Sequence, residues 1–245
     1  MQVHIFRDDI AMARAVANRV MKLLAAKPRA VLGLPTGRTP VRLYERLRAL
    51  SASGHLDFAQ VTTFNLDEFY GLPADHPASY RTFMEAHLFR HVNLSPTRIH
   101  FLNGMASDPA HECDRYEAAI VRAGGIDLQI LGIGANGHIG FNEPGATLQA
   151  NTHLARLKPG TRKSNADLFD GRVAAVRREA LSMGVGTILR TSAIILMASG
   201  SGKVEAVRAA VEGAVTTQMP ASVLQLHRHV DLVLDRAAAE KLETL

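Results

Sequence analysis

The sequence predicts an α/β chain built on a single doubly wound, mainly parallel sheet with helices on both faces. Three observations carry that expectation. Segments with apolar residues at helical spacing alternate with short strand-like runs along the chain. Several of those runs are apolar throughout, as strands buried on both faces are. Glycine-rich turns follow the runs directly, and open α/β sheets hold ligands at the carboxyl ends of their strands.

Taken in order, residues 9–26 place Ile10, Ala13, Ala17, Met21 and Leu24 at helical spacing, with Asp8 or Asp9 available as N-cap. AVLGL (30–34) reads as a buried strand and VRLYERLRAL (41–50) as a helix. VTTFNL (61–66) is β-branched and strand-like, and SYRTFMEAHLF (79–89) is a helix capped by Ser79. RIHFLN, DPAHECDRYEAAIVRAG and IDLQILGIG repeat the strand–helix–strand theme. After a less regular stretch at 145–190, expected to cover a ligand, come AIILMAS (193–199), GKVEAVRAAVEG (202–213) and HVDLVLD (229–235). No linker, composition shift or repeat divides the chain, so residues 1–245 are expected to form a single Rossmann-like domain.

Composition narrows the function classes. With 245 residues, 47% of them hydrophobic, the chain can bury a substantial core, yet no apolar run approaches the roughly 20 residues a bilayer demands. The opening MQVHIFRDD has no export signal, so a cytoplasmic protein with no membrane partner is expected. A lone cysteine, Cys113, forms no internal disulfide and sits in helical context, as a packed thiol does. The net charge of +5 invites a nucleic-acid reading, but Lys and Arg are scattered and there is no Trp. No nucleic-acid partner is expected; a mild positive excess suits a small anionic substrate equally well.

Three loops carry candidate chemistry. GLPTGRTP (33–40) joins a strand to a helix, where free backbone N–H groups attract an anion. Thr36 and Thr39 add hydroxyls, Gly37 permits a close turn and Pro40 suits a first helical turn; the lysine of a Walker A loop is missing. An ordinary turn would look the same. FNLDEFYGLP (64–73) sets Asp67 and Glu68 just past a strand beneath apolar neighbours. Such surroundings raise a carboxylate's pKa and make a general base, although two acids at a strand end are also a common cap. Adjacent acids alternate direction in extended chain, so one of the two is expected to face a site.

Residues 132–145 read GIGANGHIGFNEPG, which contains a literal G-x-G-x-x-G in Gly132, Gly134 and Gly137. A dinucleotide turn requires a helix straight after it and an acid about 20 residues on. Here Pro144 ends the segment, and after Glu143 the next acid is Asp167. The glycines instead present Asn136, His138, Asn142 and Glu143 from a bare backbone. A histidine near a carboxylate moves protons at neutral pH. A metal site is the rival, but no second histidine lies at helical or strand spacing nearby, so no metal is expected; a core histidine satisfied by backbone is the third possibility.

These loops, together with HPASYRTFM, ALSMGVGTIL, GSGKVEAVRAAVEG and PASVLQLH, resemble the glucosamine-6-phosphate deaminase family over most of the chain. GHIGFNEPG is the specific signature; the related 6-phosphogluconolactonases share the fold and a glycine–histidine loop but typically lack FNEP. The resemblance implies conversion of an aminosugar phosphate and water to fructose 6-phosphate and ammonia, without a cofactor. It gives Asp67 the proton transfer between C2 and C1 and His138 the opening of the sugar ring, with Glu143 in support. At position 136 the family carries Asp or Asn; Asn136 orients an imidazole but adds no charge. A lactone hydrolase of the same fold, a deaminase for another aminosugar phosphate and a non-catalytic sensor are the alternatives.

The resemblance also implies phosphate ligands: the Thr36–Gly37–Arg38 backbone, Lys203, and an arginine where this chain has Asp167. An acid there would repel a phosphate, and charge-assisted bonds are the strong ones. Either Arg38, paired with Asp167, or Arg162 supplies the missing guanidinium, or the anionic end of the substrate differs. The 145–157 stretch lacks the basic cluster of allosterically regulated hexameric relatives, and homo-oligomerisation is left open.

Overall fold

The computed structural model describes residues 1–243. Its elements run β1 (Gln2–Phe6), α1 (Asp9–Ala26), β2 (Val31–Leu34), α2 (Val41–Ala52), β3 (Thr62–Asn65), β4 (Asp67–Phe69), α3 (Tyr80–His87), β5 (Ile99–His100) and α4 (Pro109–Arg122). They continue with β6 (Leu128–Gly132), β7 (His153–Arg156), α5 (Pro159–Ser164), β8 (Glu179–Ser182), α6 (Val185–Leu189), β9 (Ala193–Ala198), α7 (Val204–Glu212) and β10 (Val230–Asp235). Asp8 caps α1 by accepting from the Ala11 amide, and Ser79 caps α3 through the Thr82 amide.

Seven strands form one wholly parallel sheet in the order β1–β10–β9–β6–β2–β3–β5. Side chains alternate across a strand, and β9 makes the consequence visible. Ile194, Leu196 and Ala198 enter the core beneath α4 and α7, whereas Ile195 and Met197 enter the core beneath α1 and α2. Both faces are dry at the centre of the sheet, which is why β2 and β9 read as unbroken apolar runs. Cys113 packs in the first core, and burial, followed by the acids Glu112, Asp114 and Glu117, pushes its thiol up to about 11. It is an inert packing residue.

The structure departs from expectation in three places. β1 was not expected: at the sheet edge QVHIF is only partly buried, so its pattern is too mixed to announce a strand. The RIHFLN strand shrinks to Ile99–His100 at the opposite edge. The third difference matters most. Residues 145–190 are not merely irregular, because β7 and β8 join β4 in a second, antiparallel sheet ordered β4–β8–β7. Asp67 and Glu68 therefore lie on a strand, not in a loop, with Asp67 opposite Ser182 and Glu68 opposite Leu181.

Gly104 lets the chain pass close behind β4. A Cβ there would lie 2.3 Å from the Phe69 carbonyl oxygen and 2.9 Å from that of Leu72, both backbone atoms with no room to yield. Gly104→Ala should therefore destabilise the fold by about 1–3 kcal/mol, as overpacking does. Chemical denaturation checks this, and an unchanged midpoint would contradict the close approach.

Candidate active site

The strand order creates the crevice. From β2 the chain steps one way to β3 and β5; from β6 it steps the other way to β9 and β10. Such a reversal leaves a gap above the strand ends, and the loops after β2, β6 and β9 flank it. Those loops carry Thr36 to Thr39, Asn136 to Glu143, and Lys203.

The two adjacent acids have different fates. Glu68 accepts from the backbone N–H of Phe69 (2.9 Å) and Tyr80 (3.0 Å) on one oxygen, and from that of Arg81 (2.9 Å) on the other. It thus fastens the first turn of α3 to β4, a partnership 12 residues away in sequence that no local pattern announces. Asp67 accepts no hydrogen bond and pairs with no cation among the described residues, yet it is only 7% exposed. Burial first, and the Glu68 charge second, raise its pKa to about 8. An unpaired, buried carboxylate of that basicity is equipped to take a proton from a ligand near neutral pH.

His138 is held by a chain of two bonds. Its Nδ1 lies 2.7 Å from Asn136 Oδ1, and Asn136 Nδ2 donates to Glu143 Oε2 at 2.8 Å. Glu143 Oε1 accepts from the Lys158 amide at 3.1 Å. With an amide oxygen facing it, Nδ1 donates, so Nε2 keeps its lone pair for a ligand. Burial lowers the His138 pKa, the Glu143 charge opposes this, and the Lys203 charge adds to it. The imidazole rests neutral, ready to accept a proton.

The glycines of the false dinucleotide motif have their own reasons here. A Cβ on Gly134 would sit 2.2 Å from His138 Cε1, so the ring needs that bare backbone to fold against. Gly137 has φ of +85° and would meet Met219 Sδ at 2.0 Å.

β8 ties the two candidate groups together. The Phe141 amide donates to Ser182 Oγ (2.9 Å), the residue opposite Asp67. Asn142 Nδ2 donates to the Ile139 and Met183 carbonyls (2.8 Å each), and the Met183 amide donates to the Leu66 carbonyl (2.8 Å). The histidine loop and the strand bearing Asp67 are thereby fixed to one frame.

The anion-seeking side is less uniform. The backbone N–H groups of Thr36, Gly37, Arg38 and Thr39 find no acceptor among the described residues. The Lys203 ammonium likewise has no hydrogen-bond or ion-pair partner among them, and burial, then the Arg38 charge, lowers its pKa. Arg38 Nη2 meets Asp167 Oδ2 at 2.7 Å, with side chains 82% and 74% exposed. Arg162 is the exception among the expected ligands. Its Nε and Nη2 donate to the Val176 carbonyl (3.2 and 3.0 Å), and Nη2 also donates to that of Val173 (2.9 Å). It braces the turn after α5 and presents little to a phosphate.

Comparisons with known proteins bear on the family and the fold. The family described as glucosamine-6-phosphate isomerases/6-phosphogluconolactonase matches residues 9–234. A glucosamine-6-phosphate deaminase of Alkaliphilus metalliredigens is 47% identical over 243 residues, covering 99% of this chain and 100% of that one. Glucosamine-6-phosphate deaminase 2 of Bacillus subtilis is 49% identical over 226 residues, covering 92% and 91%. A solved monomeric glucosamine-6-phosphate deaminase superposes with a TM-score of 0.95 at 41% identity, over 98% of this chain and 99% of that one. A 6-phosphogluconolactonase from Trypanosoma cruzi reaches a TM-score of 0.79 at 18% identity, a likeness of fold alone. By match length and identity, the chain belongs to the family of glucosamine-6-phosphate isomerases and 6-phosphogluconolactonases.

Proposed function

We propose that the chain is a glucosamine-6-phosphate deaminase, which converts glucosamine 6-phosphate and water to fructose 6-phosphate and ammonia. The observation that carries the reading is Asp67, a buried carboxylate with no partner, made basic by its surroundings and fixed to the frame that holds His138. A lactonase would hydrolyse an ester and have no use for a base at a carbon. The relatives named as deaminases are also 44% identical or more over nearly the whole chain.

The chemistry follows from the residue types. Opening the pyranose takes the anomeric hydroxyl proton and returns a proton to the ring oxygen. His138 Nε2 does both in turn, steadied through Asn136 by Glu143. Asp67 then removes the proton from C2 and delivers it to C1, while a proton lost from the nitrogen is balanced by one gained at the C1 oxygen, leaving an imine at C2. Water adds there, and the nitrogen departs as ammonia. Each proton transfer by a placed side chain is worth about 10²–10⁴ in rate. The free amides at 36–39 with Arg38 and Lys203 hold the phosphate, Thr36 and Thr39 adding hydroxyls. The unpaired thiol of Cys113 fits a reducing compartment, and we assign the enzyme to cytoplasmic amino-sugar breakdown.

The direct test is ammonia release. Purified protein should liberate it from glucosamine 6-phosphate, with galactosamine 6-phosphate run in parallel. Lactone hydrolysis without ammonia would overturn the proposal.

Asp67→Asn should lower kcat by about 10²–10⁴ and abolish hydrogen exchange at C2. The same change should stabilise the fold. The folded pKa, about 8, lies above the ordinary 3.8, so the native state binds the extra proton and loses stability as pH rises between the two values. The variant lacks that loss, so its Tm advantage over the parent should grow from pH ~5 to ~8. A gap that shrinks with pH would contradict it.

At the phosphate end, Arg38→Ala should raise KM, whereas Arg162→Ala should lower Tm and leave KM nearly unchanged. Steady-state kinetics and thermal melts separate the two; the reverse assignment would place the guanidinium on Arg162.

A further inference from the structure

The proposed mechanism uses one of the two acids on β4 and leaves Glu68 without a role. Its carboxylate is 2% exposed and is fixed at three points by the backbone amides of Phe69, Tyr80 and Arg81. Among the described residues no cation neutralises it. The guanidinium of Arg81, the nearest in sequence, turns away to Glu85 Oε1. Capping alone does not require an acid here, because Ser79 already caps α3 through the Thr82 amide.

We propose that Glu68 is a positioning residue that acts on Asp67 electrostatically: a rigid, unneutralised carboxyl next to the base adds to burial in letting that base hold and move protons near neutral pH. The inference rests on the reading of Asp67 as the base. Two buried like charges on neighbouring residues resist ionising together, and three N–H donors favour charge on Glu68 over Asp67. The directions agree: burial raises Glu68 to about 7 against the pull of its three amides, and Asp67 follows at about 8. The other groups that feel the Asp67 charge are the phenols of Tyr44 on α2, Tyr80 on α3 and Tyr116 on α4. Burial, the largest cause for each, holds all three well above their ordinary value and therefore neutral, and the Asp67 charge raises them further. Among the described residues, Glu68 is thus the charged neighbour that adds to burial in raising Asp67. A carboxylate left at its usual value would be a weak base toward a carbon acid, and basicity near the working pH is what such a step needs.

The test is the pH dependence of kcat/KM for glucosamine 6-phosphate in the parent and in Glu68→Gln, across pH ~5 to ~10. Removing the neighbouring charge should move the acidic limb down by about one pH unit and lower the high-pH plateau, since the base is weakened. A lower plateau with an unmoved limb would mean that Glu68 serves only to fasten α3, and would overturn the proposal. A second measurement needs neither that variant nor turnover. In the parent protein labelled with ¹³C at the aspartate carboxyls, Asp67→Asn identifies the Asp67 signal. That signal should titrate near pH 8 over a range broader than a one-proton curve, as interacting sites do. A simple curve near the ordinary carboxylate value would overturn the proposal. A parent that releases no ammonia but shows the broadened titration would sink the functional reading and leave the coupling of the two acids standing.

Discussion

Keeping an acid out of water with no cation beside it is costly, and Asp67 imposes that cost on everything around it. The group escapes by holding a proton, which turns the burden into basicity. A site of this kind works only if its walls do not relax and let water in. The β4–β8 ladder, the three amides on Glu68 and the close passage of Gly104 behind the strand all supply that rigidity. The aromatic packing of Phe69 against Tyr80, Phe141 and Phe169 seals the same region. Much of the smaller sheet can be understood as the support of one awkward side chain.

The histidine loop solves a different problem. An imidazole that must both take and return a proton needs a fixed tautomer more than it needs a strong charge nearby. Asn136 supplies the orientation, and Glu143 is held 3.8 Å from Nδ1, close enough to favour the protonated form without pairing directly. Burial and Lys203 push the other way. Opposed influences of this sort leave His138 neutral at rest, as the proposed ring opening requires, where a direct carboxylate partner would bias it toward the charged form.

The large sheet was legible because its physics is local. Strands wet on neither face are apolar at nearly every position, and VLGL and AIILMA say so without help. The caps at Asp8 and Ser79 were equally readable from one residue and its neighbours. The small sheet was not, since β4 has three residues and its partner β8 lies more than a hundred positions away. Glu68 was missed for the same reason: its partners Tyr80 and Arg81 are set by the packing of α3, not by spacing. In the catalytic loop the glycines were recognised as making a bare surface, but not that Gly134 yields to the ring of His138 itself. Arg162 shows another limit. A cation offered as a stand-in for the missing guanidinium spends its donors on the carbonyls of Val173 and Val176, which only coordinates reveal.

Asn136 and Asp167, considered together, redistribute negative charge. An amide at 136, in place of a carboxylate, removes one anion from the low-dielectric interior of the crevice, where Coulomb repulsion toward a phosphate-bearing guest is at its strongest. Asp167 restores one at the rim, 74% exposed and already facing Arg38, where water and dissolved ions damp it within a Debye length. What differs between the two positions is reach. A guest entering this crevice meets its hostile charge early, in solvent that muffles it, and finds the depths less forbidding.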